Sequence, residues 1–239
     1  GNITQLIPSA QLNVDGSWTT STTITDTAGN TSAPRTGGFL LDTEAPGAPG
    51  VSLPESPYGV NAAEAANVGG TPLDISLPGN AAVGDVVTTT VTLPNGSTLT
   101  LSSVLTAADI AAGTVTQVIP TADLIVDGNW TTSTTVTDLA GNTGPARTGS
   151  FVLDTTPPAA PAADVAALSD TGASNTDNNT SDNTPTISGT GTAGDTITVT
   201  FPTGEVQTAV VATDGTWSVT PATALLDGAQ TVLVTATDP

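Results

Sequence analysis

Residues 130–158 read WTTSTTVTDLAGNTGPARTGSFVLDTTPP, and residues 18–46 read WTTSTTITDTAGNTSAPRTGGFLLDTEAP. Widening the comparison to 1–46 against 113–158 keeps 30 of 46 positions identical. A looser third copy closes the sequence: the spacing from Asp227-Gly228 to Asp238 repeats that from Asp127-Gly128 to Asp138 and from Asp15-Gly16 to Asp26. Self-similarity at a domain-sized interval marks a tandem array, in which each copy is one supersecondary or domain unit.

Inside the phrase, Thr- and Val-rich runs are punctuated by Gly, Asn, Asp and Pro, the pattern of short strands and tight turns. In the central copy this reading places strands near 49–53, 71–77, 85–93, 97–105, 114–119, 130–138 and 147–153. Pro94-Asn95-Gly96 supplies a hairpin turn, and Ala107–Ala112 at most one helical turn. In the third copy Ile197, Val199 and Phe201 alternate with Thr196, Thr198 and Thr200, and Pro202-Thr203-Gly204 makes the matching turn. Seven short strands in about 100 residues predict an all-β chain of tandem Ig-like antiparallel β-sandwich domains. The units expected are 1–46, the C-terminal strands E to G of one repeat with its linker; 47–158, a complete repeat with its linker; and 159–239, a repeat without its last strand. The sequence opens in mid-repeat and reads as an excerpt. The linkers, Asp42 to Pro49 and Asp154 to Pro161, are rich in proline, which fixes φ and stiffens a short spacer.

Composition narrows the function. The chain carries 22 acidic groups and two basic ones, Arg35 and Arg147, with no Lys, His or Cys, for a net charge of −20. Nucleic acid and anionic membrane surfaces need basic patches, so neither is an expected partner. Without His, Cys or Lys the usual general bases, thiol nucleophiles and Schiff-base amines are missing, and no enzyme is expected. Disulfides are impossible, so reinforcement falls to packing, proline or metal. Trp18, Trp130 and Trp217 each follow Asp-Gly and read as core or joint packing. The threonine runs Thr88–Thr90 and Thr131–Thr135 read as solvated strand faces.

With the repeats, Asp138-Leu139-Ala140-Gly141-Asn142 and Asp154-Thr155-Thr156-Pro157-Pro158 in hand, the chain resembles the bacterial Ig-like repeats of giant surface adhesins secreted by type I systems. The counterparts at 26–30 and 42–46 carry the same resemblance. So do Ser169-Asp170-Thr171-Gly172, Asp177, Thr184 to Thr190 and Asp214-Gly215-Thr216-Trp217 in the third copy, and Val60 to Ala66 in the second. The resemblance implies a secreted, extracellular spacer on the bacterial cell surface, rigidified by Ca²⁺, supporting adhesion and biofilm formation. It also implies that neighbouring repeats are the immediate partners. A host or biofilm surface would be met through regions outside this stretch.

The acidic residues suggest where a cation would bind. In an Ig-like sandwich the B–C and F–G loops share one end with the start of strand A, so a preceding linker runs towards them. At the first joint this collects Asp42, Asp85 and Asp138; at the second, Asp154, Asp195 and Asp238. Three carboxylates converging without a base repel by several kcal/mol at about 4 Å and intermediate dielectric. A hard cation with six to eight oxygen ligands, Ca²⁺ above all, removes that repulsion. A further candidate set is Asp170, Asp177 and Asp182 near Asp227, with Glu64 and Asn61 at the corresponding place in the second copy. Each aspartate can instead close an Asx-turn onto backbone N–H groups. The favoured expectation is a Ca²⁺-stiffened structural spacer. The competing one is an Ig-like binding module recognising a glycan or host protein, for which an exposed aromatic cluster would be the sign.

Overall fold

The computed structural model describes residues 3–53 and 59–238. The chain divides into two units, 1–154 and 155–239. The first begins with a hairpin of β1 (Gly16–Thr22) and β2 (Arg35–Leu41). It continues into a sandwich of β3 (Gly50–Ser52), β4 (Val60–Asn61), β5 (Thr71–Ser76), β6 (Val86–Thr92), β7 (Thr98–Val104), β8 (Thr114–Ile119), β9 (Gly128–Thr137) and β10 (Arg147–Asp154). Two short helices interrupt it, α1 (Ala62–Ala65) and α2 (Ala107–Ala112). The second unit holds β11 (Ala162–Val165), β12 (Ile187–Thr190), β13 (Thr196–Thr200), β14 (Val206–Val210), β15 (Thr216–Val219) and β16 (Leu233–Thr237).

The sandwich over 47–154 is two sheets, β4-β10-β9-β6-β7 and β3-β5-β8. All pairings are antiparallel except β10 with β4, where Leu153 and Asp154 lie parallel to Val60 and Asn61. All seven strands read from the sequence are present, and the fold is the expected Ig-like antiparallel sandwich. Alternate residues point inward because the side-chain period of a strand is two. Thus Val87 and Val91 of β6, Leu73 and Ile75 of β5, and Val115 and Ile119 of β8 all face the core. Trp130 is fully buried and stacks on Phe151 at 5.7 Å between ring centroids. Each such aliphatic or aromatic side chain contributes about 1.5–3 kcal/mol by leaving water.

The same alternation corrects one expectation. Thr89, Thr132 and Thr134 are buried, not solvated. Their strands are the central β6 and β9, so every second position must face the other sheet. Thr89 and Thr134 hydroxyls meet at 2.9 Å, which satisfies both polar groups while their methyls pack.

The β1–β2 hairpin copies β9–β10 in register: Trp18 opposes Phe39 and stacks on it at 6.1 Å, as Trp130 does on Phe151. Among the described residues no second sheet covers it, and Phe39 is 39% exposed against 6% for Phe151. The strand expected ahead of it does not form: residues 3–8 are irregular. Its equivalent, β8, exists by pairing with β5; a strand with no ladder partner leaves its backbone groups to water. Arg35 and Arg147 are exposed and face threonines, Thr22 and Thr134, across their hairpins.

In the second unit the sheets are β11-β12-β15 and β14-β13-β16. They enclose Ile187, Ile197, Val199, Phe201, Val211, Trp217 and Val219. Glu205, at the end of the β13–β14 turn, accepts hydrogen bonds from the Ala222 and Thr223 amides at 2.7 and 2.9 Å and from Gln207 at 2.8 Å. These donors lower its carboxyl to a pKa of about 2, the Ala222 amide being the foremost cause.

Candidate metal centres

At the first joint the linker is pinned to the sandwich that follows it. The Asn80 side chain, in the β5–β6 loop, accepts from the Gly47 amide at 2.9 Å and donates to the Ala45 carbonyl at 3.3 Å. From the β9–β10 loop, Asn142 Nδ2 donates to the Asp42 carbonyl at 3.1 Å. Gly144 lies so close that a Cβ there would stand 2.1 Å from the Pro46 carbonyl oxygen. Pro46 and Pro49 are buried, so the proline spacer is packed and not merely extended. Behind the hairpin, Asp15 takes the Thr43 amide at 3.1 Å and the Thr43 hydroxyl at 2.9 Å.

These contacts shape an open pocket of about 510 Å³ lined by Asp42, Glu44, Asp85 and Asp138, together with Asn80 and Pro46. The expected trio of Asp42, Asp85 and Asp138 therefore lines one pocket. Glu44, which the sequence did not single out as a ligand, lines it too. Its signal was available: an acid two residues beyond Asp42 in a segment that could only run past the same loops.

The three aspartates have local duties as well. Asp138 closes the Asp-x-Ala-Gly-Asn turn, accepting from the Ala140 and Asn142 amides at 2.9 and 2.8 Å and from the Asn142 side chain at 2.9 Å. The Asn142 side chain is the main reason its carboxyl lies below the ordinary range. Asp85 is buried at the head of β6 and accepts from the Ala82 amide at 2.8 Å. Asp42 accepts from the Glu44 amide at 3.3 Å. Among the described residues no three acids stand close enough together to grip a metal ion without a shift of side chains. Turn chemistry and cation binding thus use the same residues here.

The second unit buries two carboxylates, each with one oxygen that has no hydrogen-bond partner. Asp195 occupies the place of Asp85: Gly194-Asp195 bridges to Val211 through the bonds that link Gly84-Asp85 to Leu105. Asp195 is 4% exposed, and its Oδ2 has no hydrogen-bond partner. Asp170, also 4% exposed, accepts from the Asp177 and Asn178 amides at 3.1 Å each through Oδ2, while its Oδ1 is unpartnered. Around it the β11–β12 loop folds tightly. The Thr180 hydroxyl donates to the Ser169 carbonyl. Asp177 Oδ1 accepts from the Asn179 amide at 3.1 Å. Asp182 Oδ1 accepts from the Thr184 amide at 2.9 Å, which lowers its carboxyl below the ordinary range. A buried carboxylate oxygen without a donor costs several kcal/mol unless a cation or a proton meets it. The acid-rich donor set and lack of sulfur or imidazole suit a hard, oxygen-seeking ion such as Ca²⁺.

The remaining candidate ligands are Glu64, Asp154 and Asp238. Glu64 is the N3 residue of a capping box on α1, with Oε2 accepting from the Asn61 amide at 2.9 Å. Asp154 ends β10 beside Asn61, at the edge of its own sheet. Asp238 follows β16 and is half-buried.

The fold is that of an all-β chain of tandem Ig-like sandwiches. Residues 157–239 match the model of the family described as the bacterial Ig-like domain. No curated protein matches the chain. Among solved structures it is similar to the tetra-tandem repeat in the extending region of a large adhesion protein, at 24% identity and a TM-score of 0.40, over 94% of this chain and 53% of that one. It is also similar to a Ca²⁺-stabilized adhesin that helps an Antarctic bacterium reach out and bind ice, at 25% identity and a TM-score of 0.37, over 97% of this chain and 58% of the other. A third is the BSP domain of a biofilm associated protein, at 21% identity and a TM-score of 0.26, over 79% and 27% of the two chains. The chain thus spans little more than half the length of the first two. No helix among the described residues is long and apolar enough to cross a membrane.

Proposed function

We propose that the chain is a structural spacer of a bacterial surface adhesin, displayed outside the cell and stiffened by Ca²⁺ at its acidic joint and loop sites. Its partners are then neighbouring repeats of the same array. Adhesive contact with a host or biofilm surface belongs to other parts of the protein, and no catalytic role is assigned. The observation that carries this reading is the first joint, where a packed proline linker runs into a pocket lined by Asp42, Glu44, Asp85 and Asp138. A spacer needs joints that resist bending, and this one already has three tethering hydrogen bonds from Asn80 and Asn142. Its unbalanced acids push the walls of the pocket apart. A divalent ion coordinated by two or more of them converts that repulsion into a crosslink between linker and sandwich.

Asp170 and Asp195 extend the argument to the interior of the bacterial Ig-like domain. Ca²⁺ at either would meet an oxygen that no protein donor reaches, and so adds binding free energy to folding. Before export, where Ca²⁺ is scarce, the same acids favour an open chain.

Small-angle X-ray scattering of the whole chain with 1 mM-range Ca²⁺, about the affinity range of extracellular sites, and then with chelator tests the reading. The expected result is a longer, narrower distance distribution with Ca²⁺ and a shorter, broader one without it. An unchanged maximum dimension would remove the stiffening role.

A further inference from the structure

β7 is the outer edge of the five-stranded sheet, and we propose that two copies of this chain pair there, strand to strand, across a twofold axis normal to the sheet. The edge belongs to the complete sandwich, between β6 and α2, and lies in the interior of the sequence. The hairpin bonds show which of its backbone groups point outward. The Leu93 amide donates to the Ser97 carbonyl at 2.9 Å, and the Leu105 amide to the Asp85 carbonyl at 2.8 Å. In an antiparallel ladder, bonded and non-bonded pairs alternate. Leu99, Leu101 and Ser103 therefore turn their amides and carbonyls towards β6, opposite Val91, Thr89 and Val87. Those of Thr98, Thr100, Ser102 and Val104 turn away from it, and these residues are all exposed. Among the described residues no strand pairs with that side of β7.

Proteins usually blunt such an edge with charge, proline, a bulge or brevity. β4, at the opposite edge of the same sheet, is two residues long and turns straight into α1. β3 is three residues long and follows Pro49. β8 stops at Pro120, and Gln117 ties it to β7 by donating to Ser103 Oγ at 3.2 Å. β7 has none of these devices. It is seven residues long, without proline or glycine, and no charged residue stands between Asp85 and Asp109. Its counterpart in the second unit, β14, is five residues long and begins beside Glu205.

Charge and register select a second copy of the same edge as the occupant. At a net charge of −20 two copies repel almost everywhere, and this acid-free stretch is where they approach at least cost. The edge is also its own complement. With Leu101 of one copy opposite Leu101 of the other, Thr100 meets Ser102 and Thr98 meets Val104, twice over. Every outward amide and carbonyl of both edges is then bonded, which no other antiparallel register achieves. On the inner face, Leu99 and Leu101 are packed against the core and remain partly open, so the pairing closes them over each other. This is strand addition with main-chain bonds for affinity and alternate side chains for register. The contact is isologous and stops at two copies. The twofold axis reverses the partner, setting the linker entry of one sandwich beside the exit of the other. For the surface spacer proposed above, on which this last step rests, that orientation suits chains anchored on opposing cells and not neighbours on one cell.

Sedimentation velocity of the whole chain in Ca²⁺, over a concentration series at about 10 mM and about 150 mM salt, reads the pairing. The expected result is a monomer–dimer equilibrium that is tighter in the higher salt, where repulsion between acidic copies is screened. Thr100→Pro should raise the dimer dissociation constant about tenfold or more, since proline removes an outward amide and its ring blocks the partner. Proline is tolerated at an edge position whose amide faces solvent, so this variant keeps the wild-type melt. Cysteine variants read the register in a chain that has no other cysteine. An equal mixture of Thr100→Cys and Ser102→Cys chains should form a disulfide-linked dimer under mild oxidation, because opposed positions stand about 5.5 Å apart. Either variant alone should not, since its two cysteines lie diagonally at about 7–8 Å. A chain that stays monomeric at every concentration in both salts overturns the proposal. So does association that Thr100→Pro leaves intact, or crosslinking by one variant alone that matches the mixture. The Thr100→Pro monomer also frees the scattering series from association, so failure of the pairing and failure of the calcium reading are told apart.

Discussion

Asp195 and Asp170 set the terms at the residue scale, because each buries a carboxylate oxygen that no donor meets. With chelator present, Asp195→Asn should leave the thermal midpoint of the chain unchanged or raise it, since a neutral amide is cheaper to bury than an unpaired charge. With Ca²⁺ the order should reverse, the wild type gaining about 2.7 kcal/mol when the free ion is at 100 times its dissociation constant and the variant losing that gain. Differential scanning calorimetry in the two buffers checks the crossing; parallel behaviour would assign Asp195 to structure alone. Glu205 makes a separate claim about pH. Its folded pKa of about 2 lies below the unfolded value of 4.5. The bonds to Ala222 and Thr223 therefore stabilise the fold fully above pH 4.5, and that contribution fades as pH falls towards 2. Glu205→Gln should melt at a lower temperature than wild type at pH 7, and the two curves should converge near pH 2. A difference that stays constant over that range would mean that the glutamate acts through shape and not charge.

At the scale of elements, the two hairpins offer a matched experiment. They share register and ring stacking, but only β9–β10 is covered by a second sheet. Phe151→Ala should cost about 3–5 kcal/mol, the usual loss for a buried aromatic. Phe39→Ala should leave the unfolding midpoint of the sandwich in place, and urea denaturation followed by Trp fluorescence distinguishes them. The comparison also shows how far the sequence could be read. Strand positions were legible because period-2 alternation and turn residues are local, so β5 to β10 appear within a few residues of expectation. The pair β4 and α1 was not, since two residues held by a parallel contact to Leu153 and Asp154 have no local period. The irregular 3–8 segment failed for the complementary reason: it has the pattern of β8 but no β5 to pair with. The candidate site divides along the same line. Convergence of Asp42, Asp85 and Asp138 followed from topology, whereas the burial of Asp170 depends on a loop closing over it, with Asn178 in a left-handed conformation at φ 59°. At Glu64 a second local pattern overlaps the acidic one: Asn61-x-x-Glu64 is also a capping box, and that bond to a helix start is made.

For the whole molecule, charge and joints decide behaviour together. A net charge of −20 with two cations keeps copies apart in dilute salt. Raising ionic strength from 10 mM to 150 mM shortens the screening length from about 30 Å to about 8 Å. If repulsion alone straightened the chain, that change would shorten it as far as chelation does. A joint crosslinked by Ca²⁺ should instead keep its scattering profile across the salt series so long as the ion is present. The Gly144 contact gives a second handle on the same joint. Gly144→Val would drive a side chain into the Pro46 carbonyl, 2.1 Å from where its Cβ must lie, and should loosen the linker without touching an acid. The expected result is a broader distance distribution even with Ca²⁺, and retention of the wild-type profile would show that the linker packing is incidental.

The parallel contact between β4 and β10 matters when the chain is pulled. Tension enters the sandwich ahead of β3 and leaves after Asp154, so β4 and β10 are drawn in opposite directions along a shared axis. Hydrogen bonds lying across that axis are loaded together in shear, and none can open before its neighbours as in a zip. The β1–β2 hairpin, whose strands are antiparallel, has the opposite arrangement and should peel one bond at a time. In a stretched array the parallel β4–β10 contact is therefore the clamp that sets the breaking force of the sandwich.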